Sequence, residues 1–135
     1  MSLHPQAQYV APVETAKVAH AAFPKGNLCM TMADTLGTFL SDEAFSELFE
    51  VRGQPAESPW RLALVTILQF VEGLTDRQAA NSVRSRIDWK YLLCLELTDT
   101  GFNHTVLSEF RTRLVKADAE RLVFDRLLEF CKAHY

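Results

Sequence analysis

Residues 58–86 read SPWRLALVTILQFVEGLTDRQAANSVRSR. Two helical patterns of different character meet here, and the short join between them decides the fold. Ser58 followed by Pro59 is a helix start, because serine can accept from the first free amides and proline suits the first helical position. Between Leu62 and Val71 only Thr66 and Gln69 interrupt an apolar run. A helix apolar on most sides is expected to be buried on most sides, so this one is read as central. Gly73-Leu74 ends it. Thr75 and Gln78 then have the residue types and spacing of a capping box. At roughly 100° per residue, Ala79, Ala80, Val83 and Ile87 share one side of the next helix, and Arg77, Asn81, Arg84 and Ser85 the other.

Working outward, the same spacing predicts more helices. Downstream, Asp88 is placed to cap a short helix carrying Trp89, Tyr91, Leu92 and Leu95. Thr98-Asp99-Thr100-Gly101 reads as a turn. His104 to Lys116 is amphipathic, with Leu107, Phe110 and Leu114 inward, and a last helix is expected at about 119–133. Upstream, Thr31 and Asp34 have capping-box spacing ahead of Met32, Leu36, Phe39 and Leu40. Ser41-Asp42-Glu43 starts a further helix, and residues 51–57 are a connector. Pro5, Pro12 and Pro24 break up residues 1–30, which are expected to form an N-terminal arm with a short helix near residues 14–22 and a turn at 23–27. The helical domain would then span 31–135. No period-two alternation marks a strand. The expected fold is all-α, a compact bundle of about six helices with a helix-turn-helix-like unit near residues 58–86.

Composition narrows the function. With 48% hydrophobic and 23% charged residues, the 135-residue chain can bury a core. No apolar run approaches the roughly 18 residues of a membrane span, and no signal peptide is evident, so no membrane partner is expected and the default location is cytoplasmic. Cys29, Cys94 and Cys131 are too scattered for a disulfide framework or a zinc knuckle and are read as buried free thiols. The four histidines have no ligand-like pairing, so neither metal nor cofactor is expected. The net charge is −3, against indiscriminate coating of DNA. Its distribution is uneven: −4 over residues 1–73, +2 over 74–116 and −1 over 117–135.

No nucleophile elbow, P-loop or dinucleotide fingerprint is present. The carboxylates have ordinary places in caps, first turns and solvated faces, so catalysis by this chain is not expected. The basic segment offers side chains suited to DNA. Arginine reaches guanine edges, asparagine and glutamine adenine edges, and all reach phosphates. The candidate DNA-binding residues are Arg77, Gln78, Asn81, Arg84, Arg86 and Lys90, with Arg111, Arg113 and Lys116 on a later helix. Trp89 and Tyr91 could stack on bases but continue a core stripe, and core packing is the favoured role. An exposed basic helix face is also an ordinary solvated face. Pattern alone therefore favours a helical protein-interaction module over a DNA-binding one.

Several fragments shift that balance. Gly53-Gln54-Pro55-Ala56, Ser58-Pro59-Trp60-Arg61-Leu62-Ala63-Leu64, Leu68-Gln69-Phe70, Gly73-Leu74-Thr75-Asp76-Arg77-Gln78-Ala79-Ala80, Arg86-Ile87-Asp88-Trp89-Lys90-Tyr91-Leu92 and Leu107-Ser108-Glu109-Phe110-Arg111 occur in this order. Together they resemble the N-terminal helical domain of bacterial insertion-sequence transposases of the DDE type, over about residues 20–117. The resemblance implies a helical module ahead of a catalytic RNase H-like domain that carries an Asp-Asp-Glu triad and divalent metal. It implies double-stranded DNA of the transposon ends as partner, with a homodimer or full-length transposase as further partners. The chain stops before any segment like the first catalytic Asp, so the catalytic domain is expected to be absent and no residue inherits a triad role. The chain departs from the family at Cys94, where Gly is common, and at Asn103, where many relatives have Asp. The alternative is a dimerisation or transposition-regulating module.

Overall fold

The computed structural model describes residues 11–36 and 59–116, together with Asp125. Six helices lie among them: α1 Val13–Ala22, α2 Leu28–Leu36, α3 Pro59–Glu72, α4 Asp76–Ser85, α5 Ile87–Leu92 and α6 His104–Lys116. The described residues contain no strand, and the all-α expectation holds. The helix start at Ser41, the connector at 51–57 and, apart from Asp125, the last helix at 119–133 fall outside the described residues.

Two helix starts differ from the sequence reading. α2 begins at Leu28, not at Thr31, because Asn27 is its cap: the Asn27 Oδ1 accepts from the Met30 amide at 3.0 Å. The short helix α5 is capped at Arg86, not at Asp88. The Asp88 carboxylate is buried and accepts from Arg86, Asn27 and the Trp89 amide. It locks the start of α5 from inside. Arg86 is thus the single residue between α4 and α5, and Ile87 belongs to the second of them.

The expected α3–α4 join is present in full. Gly73 adopts a left-handed φ of 69°, and the Leu74 amide donates to the Gln69 carbonyl at 2.9 Å, closing α3. Thr75 then caps α4. The Gln78 amide donates to Thr75 Oγ1 at 3.1 Å, and the Thr75 amide to Gln78 Oε1 at 2.9 Å, a complete capping box.

α3 supplies the largest share of the core: Leu62, Ala63, Leu64, Val65, Ile67 and Leu68 are all buried. Its last turn is different, for Phe70 is 75% and Val71 53% exposed. Ala79 and Val83 of α4, Trp89, Leu92, Leu93 and Leu95 in and after α5, Leu107, Phe110 and Leu114 of α6, and Cys29 and Met32 of α2 complete the cluster. α4 packs against α3, α5 and α6, while α5 is also held by α1 and α2. Thr15 on α1 donates to the Leu95 carbonyl at 2.7 Å, and Tyr91 on α5 donates to Asp34 on α2 at 2.7 Å. Trp89 is fully buried, which settles its role as a core residue.

Candidate nucleic-acid interface

α4 is the element on which the basic surface depends. Ala79 and Val83 anchor it, and the opposite face carries Arg77, Asn81 and Arg84, all exposed. Arg77 and Arg84 form no ion pair among the described residues. The sequence placed the three side chains correctly, because a helix with two buried anchors four residues apart has only one way to face.

The remaining candidates have different surroundings. Gln78 is exposed, but its side-chain oxygen is used in the capping box. Arg86 donates to Glu72 at 2.6 Å and to both oxygens of Asp88 at 3.2 and 2.8 Å, and its guanidinium lies 5.1 Å from the Trp89 ring centre. Trp89 Nε1 donates to the other oxygen of Glu72 at 3.4 Å. Lys90 is buried, and its ammonium donates to the Asp99 carbonyl. Burial pushes the Lys90 pKa down, so that hydrogen bond is what keeps the group satisfied. Arg111 makes a two-pronged pair with Asp76 at 2.6 and 2.7 Å. Arg113 is half-buried, and Lys116 is the last residue of α6.

Asp76 gathers more than Arg111. It also accepts from Gln69 of α3 at 2.8 Å and from Ser108 of α6 at 3.1 Å. The Arg111 hydrogen bonds hold its carboxyl well below the usual carboxylate range against the opposing effect of burial, with Gln69 and Ser108 helping. One carboxylate in the first turn of α4, where the helix dipole favours it, thus fastens α4 to two neighbours. These contacts set the angle at which Arg77, Asn81 and Arg84 are presented.

The presented face lines one wall of a cleft of about 200 Å³. Ala80, expected on the buried side, is only half-buried and contributes to the same wall, because its position lies at the edge of the face that Ala79 and Val83 bury; the segment leading into α6 forms the other with Phe102, Asn103 and His104. Asn103 caps α6, its Oδ1 accepting from the Thr105 amide at 3.0 Å. Aspartate and asparagine can both do this, so the departure at Asn103 keeps the turn. The turn ahead of it depends on Gly101, whose φ is 76° and whose amide donates to Asp99 Oδ1 at 2.7 Å. Sequence reading missed Phe102, Asn103 and His104 as partners of α4. The cap at Asn103 was legible, but the approach of α4 to the start of α6 is a tertiary contact without a local signal.

Cys29, on α2, is buried in the core near Asp88. Burial, with the negative charge of Asp88 adding to it, pushes its thiol up to about 12, so the group stays protonated. None of the helices among the described residues is long and apolar enough to cross a membrane.

A family model described as Transposase domain (DUF772) matches residues 17–113. No curated protein and no solved structure matches the chain.

Proposed function

The chain belongs to the transposase domain family DUF772, and from that membership we propose that it is a DNA-binding and assembly module of a transposase. It recognises the ends of a transposon and carries no catalytic activity of its own. The observation that supports this reading is the pair Arg77 and Arg84. They stand exposed and without ion pairs among the described residues, on a helix whose other contacts are structural. Residues 59–86, with α4 following a three-residue join, have the helix order of a helix-turn-helix unit, which supports contact through α4 whether it meets bases or phosphates. Affinity for a polyanion follows local charge rather than the total, so an overall −3 is compatible with a basic face.

The test is a fluorescence-anisotropy titration with duplexes carrying the terminal inverted repeats that flank the chain's own gene. Tighter binding to these than to random duplex is expected, weakened in the Arg77→Ala/Arg84→Ala double variant. Equal binding to both duplexes, unchanged in the variant, overturns the reading.

A second reading, a module that pairs with another copy or with a full-length transposase, is supported by the exposure of Val71 on α3 and Val115 on α6. Light scattering decides between a monomer and a dimer at high concentration.

A further inference from the structure

Arginines that face DNA can either read base edges or hold phosphates, and the two tasks need different shapes. Base reading in the major groove needs a protruding helix. The groove is about 12 Å wide, and a helix with its side chains is about 10–12 Å across, so a lone helix already fills it. α4 does not stand alone. Its exposed face is one wall of a cleft, and the segment carrying Phe102, Asn103 and His104 is the other. A concave surface does not enter a concave groove, but it does receive a ridge, and the ridge on DNA is the sugar–phosphate strand.

The chemistry of the cleft agrees with its shape. Among the described residues no carboxylate lines it. Arg77 and Arg84 bring guanidinium donors from positions seven residues apart, roughly 10 Å along the helix. Asn81 lies between them. Asn103 has its oxygen occupied by the Thr105 amide, so its amide nitrogen is the group left to donate into the cleft. His104 is the first residue of the 13-residue α6, at the positive end of that helix. Donors and positive charge converge on a space that calls for an anion.

Resting on the proposed DNA binding, we infer that this cleft is a phosphodiester site. It seats the backbone of one DNA strand and fixes the module's position without reading base identity. Arg77 and Arg84 are the charged contacts, and Asn103 and His104 complete the far wall. Sequence discrimination comes from DNA shape or from another part of the surface.

Single and double substitutions at Arg77 and Arg84, to alanine and to lysine, test this against terminal-repeat and random duplexes over a salt series. Circular dichroism checks that each variant is folded. Each alanine is expected to lower affinity for both duplexes by the same factor and to reduce the salt slope by about 1. Lysine supplies the charge without the bidentate fork, so it should restore most of the affinity and leave the preference for the terminal repeat intact. His104→Ala should weaken both duplexes equally. A preference that collapses in the lysine variants means base reading and overturns the inference while leaving DNA binding in place. Unchanged affinity in the alanine variants places DNA elsewhere on the molecule and also overturns it. Absence of DNA binding by the unsubstituted chain removes both the inference and the function on which it rests.

Discussion

Cys94 holds a backbone conformation that its side chain resists. Its φ is 58°, in the left-handed region where a Cβ crowds the following carbonyl. The position closes α5: the Cys94 amide donates to the Tyr91 carbonyl at 3.3 Å and the Leu95 amide to the Lys90 carbonyl at 2.9 Å, the two bonds of a Schellman end. Arg61 Nε secures the same end by donating to the Leu93 carbonyl at 2.7 Å. A glycine at this place would relieve the strain. Cys94→Gly is therefore expected to stabilise the fold by about 1 kcal/mol, a rise in Tm of about 4 °C by differential scanning calorimetry. Gly101 is the opposite case. Its φ is 76°, and an added Cβ would lie 3.2 Å from Val83 Cγ1. Gly101→Ala should cost about 2 kcal/mol in urea denaturation and disturb the wall of the cleft.

At the scale of elements, α4 is fixed by electrostatics as much as by packing. Asp76 couples it to α3 through Gln69 and to α6 through Ser108 and Arg111. A carboxyl whose pKa is lowered on folding contributes stability above its unfolded pKa and loses it as pH falls toward the folded value. The Asp76 contribution should thus be complete at neutral pH and fade below about pH 4. Asp76→Asn is expected to cost about 1–2 kcal/mol at pH 7, because charge-assisted hydrogen bonds are lost and Arg111 is partly solvated. Urea midpoints at pH 7 and pH 3 check this: the gap between variant and parent should narrow at the lower pH. The same substitution should weaken DNA binding, since the face of α4 loses its fixed angle.

At the scale of the molecule, α1 and α2 pack on α5 and thereby on the rest of the core. The Thr15 hydroxyl is buried and bonds to a carbonyl 80 residues away. Asn27, the cap of α2, donates to the buried Asp88 at 3.0 Å. These contacts argue that the segment expected to be an arm unfolds with the domain. Tryptophan fluorescence and far-UV circular dichroism should give one coincident urea transition. Thr15→Val should lower its midpoint, at a cost of about 1–2 kcal/mol, because the Leu95 carbonyl is left buried without a donor. Two separate transitions would mean that the arm is an independent unit.

What the sequence determined by itself was local. The capping pair Thr75 and Gln78, the glycine stop at Gly73, the anchors Ala79 and Val83 and the inward face of α6 follow from periodicity and from side-chain chemistry within one helical turn. So does the outward direction of Arg77, Asn81 and Arg84. The resemblance to transposases was legible as well, and the family match over residues 17–113 agrees with it. Only the tertiary structure decided which basic side chains have no ion pair among the described residues. Arg86, Lys90 and Arg111 look as basic in the sequence as Arg77 and Arg84, but Glu72 of α3, the Asp99 carbonyl and Asp76 of α4 come to them through the fold, and only the Arg86–Asp88 pair is local. The cleft also needed the fold, because Phe102, Asn103 and His104 meet α4 across about 20 intervening residues. The reason is physical: a helix's direction is set by contacts three and four residues apart, whereas a charge is free or bound according to what the folded chain carries up to it.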